Sequence, residues 1–348
     1  MALPERGILL HIGPHKTATT ALQSALAASR PQLDQARVRY PLHGLNHNTA
    51  LRQRRTSPRG PKWRRLLEQV EARPDRAVIS AEQFSQSPPA EIESVVAELG
   101  AADVTVLTTM RPLTRMLPSI WQESLKHGAD HTYTQFLDAI SGPDIIVDGL
   151  FEWRQQAFRF DDLVRRWADV VGAERVVVLP IGSGTDMVAA FEDFLGLHSG
   201  TLDREGIRSN ASLSPGQAEV LRRVNQVVRE EGLATHYREL VRRGMFGDIV
   251  ERQQTRTIPP LPGPYEDVVR ERQDETVANL TELAVPVLAD LTSLLTPEPA
   301  PAPASQCLDT DSAADMLLQI YRNAASALAD RDGEIARLQI EAAGTGRR

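Results

Sequence analysis

Residues 7–29 read GILLHIGPHKTATTALQSALAAS, and this stretch decides the fold. Its first six residues, GILLHI, form a continuous apolar run of the kind that makes a strand buried on both faces. Residues 17–29 place Leu22 and Leu26 one helical turn apart, which predicts a helix. Between them lies a short loop carrying His15 and Lys16, with Thr17, Thr19 and Thr20 at the helix entry. A strand running through a lysine-bearing loop into a helix is an anion site. The first turn of the helix has N–H groups without carbonyl partners and a positive dipole end. Lys16 adds a full charge, and the threonines add hydroxyl donors.

Further along the chain, β-rich runs alternate with helical patterns. Strands are predicted at 36–41, 76–82, 103–110 and after the Gly172 turn. Helices are predicted at 89–100, 112–128, 160–171, 186–197 and 214–231. Strands separated by helices imply an α/β fold of three layers, with a central parallel sheet covered on both faces. Ligands of such sheets bind at the carboxyl ends of the strands, where 11–20, 80–85 and 110–119 fall. Residues 1–295 are expected to form this domain. TPEPAPAPA opens a proline-rich linker over 296–309. Residues 310–340 are expected to form a C-terminal helix, followed by a disordered tail over 341–348. In that helix Leu317, Tyr321, Ala324 and Leu328 fall at heptad-like spacing, with Ile335 and Leu338 after a break at Arg331. A short coiled coil, and weak self-association through it, is the expectation.

The chain has 348 residues and a formal net charge of −7. An acidic chain argues against nucleic acid as the partner. One cysteine, Cys307, leaves no intrachain disulfide and fits a reducing compartment. The opening MALPERGILLHIG is too short in its apolar part for a signal peptide, and no stretch has the length of a membrane span. The expectation is a cytoplasmic protein with no membrane segment.

The loop differs from an ATP-type P-loop, which wants G-x-x-x-x-G-K-[ST]. Here the two glycine positions hold Leu10 and His15. No predicted strand ends in an aspartate that would hold magnesium, so no metal is expected. A second anion element is RPLTRMLPS, in which Arg111 ends a strand, Pro112 suits a first helical turn, and Ser119 follows two turns later. An arginine fork and a hydroxyl on one side of a helix suit another phosphate. Two phosphate sites without a metal fit a nucleotide with a 5′ group and a 3′-phosphate.

On these residues the chain resembles the sulfotransferases that use 3′-phosphoadenosine 5′-phosphosulfate (PAPS), over roughly residues 7–295. GPHKTATT resembles their 5′-phosphosulfate loop, and RPLTRMLPS their 3′-phosphate element. The resemblance implies that Gly13, Lys16, Thr17, Ala18, Thr19, Thr20, Arg111 and Ser119 bind PAPS as co-substrate. It assigns Lys16 to the oxygen bridging sulfuryl and phosphate, where an ammonium neutralises charge on the leaving group. The family has a glycine at the position of Ala18, and an alanine is expected to fit there with a helical φ. A glutamate after a strand is the base proposed in carbohydrate sulfotransferases, so the resemblance points to Glu82 in VISAEQFS. His15 is a second candidate for that proton. His11, inside the strand, is expected to be packed.

The acceptor is a hydroxyl compound, with a glycan or small metabolite favoured. His43 and His47 lie in a loop expected to touch it. RQRRTSPRGPKWRR (52–65) has seven basic residues, which would suit an acidic acceptor. RRGMFGD (242–248) faintly resembles a 3′-phosphate clasp of the cytosolic enzymes. Two other readings stand beside this one. One is a P-loop kinase-like phosphotransferase. The other is a non-enzymatic interaction protein that assembles through its C-terminal helix and keeps a relic nucleotide pocket.

Overall fold

The computed structural model describes residues 1–57, 60–72, 75–100, 104–142, 158–182, 184–205, 213–232 and 260–295, and residues 322, 330, 331, 333–335, 337 and 338 near the C-terminus. The proline linker, the 242–248 motif, Cys307 and the final tail lie outside the described residues. The described part of the C-terminal segment is helical and exposed, including Ile335 and Leu338.

The chain divides into two compact units. The first comprises residues 1–117, 137–209 and 261–299, and holds the sheet. Its strands are β1 (Ile8–His11), β2 (Val38–Arg39), β3 (Arg76–Ser80), β4 (Val104–Met110) and β5 (Val176–Pro180), in the order β2-β3-β1-β4-β5. Every pairing between them is parallel. This is the α/β, parallel-sheet architecture the alternating pattern implies. β1 sits at the centre, where His11 is level with Ser80 on one side and Leu107 on the other. The segments that follow β1, β3 and β4 therefore leave the sheet at one edge.

Residues of each strand alternate between two apolar cores. Ile8, Leu10, Ile79, Val106 and Val178 face one of them. It is covered by α3 (Asn48–Thr56), α4 (Pro61–Glu71), α5 (Pro89–Leu99), α8 (Phe160–Val171) and α11 (Gly263–Glu282). Leu9, Val78, Leu107 and Val177 face the other. That side is covered by α1 (Thr19–Ala28), α2 (Arg30–Gln35) and α9 (Met187–Leu195). Burial on both faces explains why these strands read as unbroken apolar runs.

Local chemistry sets the element ends. Pro89 opens α5 and Gly100, at φ 85°, closes it. Gly172 turns α8 into the approach to β5 with φ 92°. Asp186 caps α9 by accepting from the Ala189 N–H at 3.0 Å.

The second unit comprises residues 118–136, 210–260 and 300–348. It holds the distal part of α6 (Leu113–Lys126), the start of α7 (Tyr133–Ser141) and α10 (Pro215–Glu230). A capping box between Ser214 and Gln217 starts α10. Asn225 on α10 donates to the carbonyls of Leu125 and Ala129, fixing the turn after α6. Trp121, Tyr133 and Phe136 cluster beside it.

Apolar spacing does not predict the helices at 30–35, 48–56, 61–71, 133–141 and 263–282. Those at 48–56 and 61–71 cover the basic run. There the spacing is masked because arginines supply part of the inward face, Arg54 being only 8 % exposed.

Candidate active site

The loop after β1 is shaped by two residues with left-handed backbone, Lys16 at φ 70° and Ala18 at φ 61°. Thr17 between them has negative φ. Alternation in the sign of φ turns successive N–H groups toward one side, the geometry of an anion nest. The sequence reading needs two corrections here. The helix begins at Thr19, not Thr17, and Ala18 is not helical. A left-handed alanine costs about 1–2 kcal/mol, which a glycine would avoid. No side chain caps the start of α1, and with the Ala21 N–H donating to the Ala18 carbonyl at 3.0 Å, the N–H groups ahead of Ala21 are the ones a ligand would take.

The floor of the loop is made of hydroxyls. Thr17 donates its hydroxyl to the Pro14 carbonyl at 2.7 Å and meets the Thr109 hydroxyl at 2.8 Å. Thr19 lies beside both, 3.4 Å from the Thr17 oxygen. These three side chains are buried and braced against one another, so this conformation offers an anion the backbone N–H groups of Thr17 and Thr19 rather than their hydroxyls. Thr20 is half-buried at the helix start. Gly13 has a packing reason to be glycine. A Cβ there would stand 2.6 Å from the Thr109 hydroxyl and 3.0 Å from His11 Nε2.

Arg111, just past β4, donates from Nη1 to the Lys16 carbonyl at 3.0 Å. The second anion element thus touches the first loop and holds its left-handed lysine. Ser119 is half-buried on α6, in the second unit.

β3 leads through Ala81 into a short 3₁₀ turn, Glu82–Gln86. Glu82 Oε2 lies 3.1 Å from His15 Nδ1, with both side chains partly exposed. The two candidate proton acceptors are therefore one pair, made by loops from adjacent strands. The turn is clamped from several sides. Asn48 accepts from the Gln83 N–H, Arg55 donates to the Gln83 carbonyl, and Arg166 donates to the Ser85 carbonyl.

His43 is exposed on the turn after β2. His47 is not placed to touch an acceptor. It is 1 % exposed, accepts on Nδ1 from the Ser80 N–H at 3.0 Å and donates from Nε2 to the Pro41 carbonyl at 2.7 Å. Burial pushes its pKa down to about 4, so it is a neutral brace. His11 is fully buried, as its place in the strand predicts, and burial lowers its pKa to about 3. The basic run is also corrected in part. Arg54 pairs with Glu98 at 2.6 Å, and Arg55 with Glu91 at 2.9 Å. Those two cations are neutralised within the chain and offer no wall to an acidic acceptor.

Thr109, Ser80 and Gln23 are parts of the site that motif reading passes over. Their signal was present as polar residues in apolar settings: threonines closing β4, a serine closing β3, and a glutamine on the inward side of α1.

No protein-family profile matches the chain, and no curated protein matches it. A sulfotransferase from Alicyclobacillus acidocaldarius, solved by crystallography, is similar over 68 % of this chain and 97 % of that one, at 14 % identity and a TM-score of 0.40.

Proposed function

We propose that the chain is a sulfotransferase that moves the sulfuryl group of PAPS to an acceptor hydroxyl. The observation that carries this reading is the uncapped, left-handed Lys16 loop lying beside the His15–Glu82 pair at one sheet edge. The donor set of the loop fits a dianionic group: an ammonium and a nest of N–H groups. Bound there, PAPS supplies an activated sulfuryl group and a bisphosphate leaving group.

In this reading the backbone of 16–20 and the Lys16 ammonium grip the 5′ end, and Arg111, which holds the Lys16 carbonyl, is the residue the resemblance assigns to the 3′-phosphate. The acceptor oxygen forms its bond to sulfur as the sulfur–oxygen bond to phosphate breaks. The acceptor proton passes to the His15–Glu82 pair, with Glu82 as the base. Lys16 stabilises the charge left on the bridging oxygen. The rate enhancement then comes chiefly from positioning and charge stabilisation, as in phosphoryl transfer. A mass-detected sulfate-transfer screen over glycan, phenol and small-metabolite acceptors tests it. A PAPS-dependent mass increment of one sulfuryl group supports the reading. Phosphate transfer from ATP in its place would favour the kinase reading.

A further inference from the structure

One buried side chain joins the two halves of the proposed site. Gln23 stands on α1, four residues past its start, and is 1 % exposed. Its Nε2 donates to the Ser80 hydroxyl at 2.9 Å. Its Oε1 accepts from Asn46 Nδ2 at 3.3 Å. Ser80 closes β3 two residues before Glu82, and Asn46 lies on the loop that leads into α3.

Ser80 is a hub. Its hydroxyl also meets His11 Nδ1 at 2.9 Å, its N–H donates to His47, and its carbonyl accepts from the His47 N–H at 2.8 Å. These contacts link the end of β1, the end of β3 and the 41–47 loop beneath the surface. Gln23 extends that link to the helix whose first turn forms the anion nest. A buried amide bonded at both ends is a rigid spacer, because breaking either bond strands a polar group away from water.

We propose that Gln23 is a positioning residue that sets the spacing between the Lys16 loop and the Glu82 turn, and so the gap in which donor and acceptor meet. This rests on the sulfotransferase reading for its consequence, but not for its geometry. Neither Gln23 nor Ser80 touches the reacting groups; each acts through the segment it holds. A displacement of about 1 Å between reacting partners is enough to slow a reaction by about 10²-fold.

The test uses the full chain with Gln23→Met, which keeps the volume and removes both bonds. The expected result is a loss of about 10²-fold in kcat, with KM for PAPS and affinity for adenosine 3′,5′-bisphosphate near wild type. The nitrogen NMR signal of His15 Nδ1, which reports the Glu82 contact, should move toward that of Glu82→Gln. Ser80→Ala combined with Gln23→Met should be no worse than the more damaging single variant, since both cut one chain of bonds. If Gln23→Met does not fold, Asn46→Ala, at a half-buried position, removes the bond to Gln23 together with the one Asn46 Oδ1 accepts from the Asn48 N–H, and should shift the same NMR signal in the same direction. Wild-type kcat with an unmoved His15 signal in a folded variant would overturn the proposal. If wild type transfers no sulfate and binds no bisphosphate, the functional reading fails, and the His15 signal alone decides the positioning claim.

Discussion

Lys16, Glu82 and Ala18 carry the sharpest consequences at the scale of single residues. Lys16→Ala removes the cation proposed for the leaving group, and turnover should fall by about 10²-fold or more. Glu82→Gln keeps the shape of the side chain but cannot take a proton. It should lower kcat by about 10²–10⁴-fold with bisphosphate affinity unchanged. Steady-state kinetics with a calorimetric titration check both. If Glu82→Gln keeps its rate and His15→Ala loses it, the proton goes to His15 and Glu82 only orients it. Ala18 gives a prediction about stability. Relief of its left-handed strain is worth about 1–2 kcal/mol, and the added freedom of glycine in the unfolded chain returns about 0.4–1 kcal/mol. Ala18→Gly should therefore leave stability equal or raised by up to about 1.5 kcal/mol. Ala25→Gly, inside the same helix and fully buried, should cost at least about 1 kcal/mol. Urea unfolding distinguishes the two, and equal destabilisation by both would refute the loop geometry.

Among the elements, a buried neutral histidine ties the end of β3 to β1 (His11) and another ties it to the 41–47 loop (His47), and this predicts an acid response. His11 and His47 have folded pKa values lowered to about 3 and about 4 from 6.5. Between those values and 6.5 the unfolded chain binds more protons than the folded one. The stability they contribute is therefore present above about pH 6.5 and is lost as pH falls, toward about 4 for His47 and about 3 for His11. At pH 5 the loss is on the order of 2 kcal/mol for each histidine. Unfolding free energies at pH 7 and pH 5 should show it, and His47→Gln should flatten the dependence. A stability that does not change between these pH values would contradict the burial of both rings. The same strand ends show what was legible in the sequence. The strands, the Lys16 loop and Glu82 past β3 could be read because unbroken apolar runs and a basic loop leave local signals. The nest could not, because nothing in TATT distinguishes a helical from a left-handed Ala18. Nor could the relay through Ser80 and Gln23, whose partners lie 57 residues apart in the chain. The burial of His47 leaves no local signal, because its two backbone partners, Pro41 and Ser80, become neighbours only when β2 and β3 pair.

For the whole molecule, a five-stranded parallel sheet with apolar cores on both faces delivers three loops to one edge, and those loops hold the candidate chemistry. No helix among the described residues is long and apolar enough to cross a membrane. The central claim is that this edge takes a nucleotide carrying both a 5′ group and a 3′-phosphate. Thermal unfolding of the full chain with adenosine 3′,5′-bisphosphate, adenosine 5′-monophosphate or magnesium ATP tests it most directly. At a concentration of 100 Kd, the 3′,5′-bisphosphate should stabilise the fold by about 2.7 kcal/mol. The monophosphate at that same concentration should give far less. Equal shifts from bisphosphate and monophosphate, or a larger shift from magnesium ATP, would contradict the account.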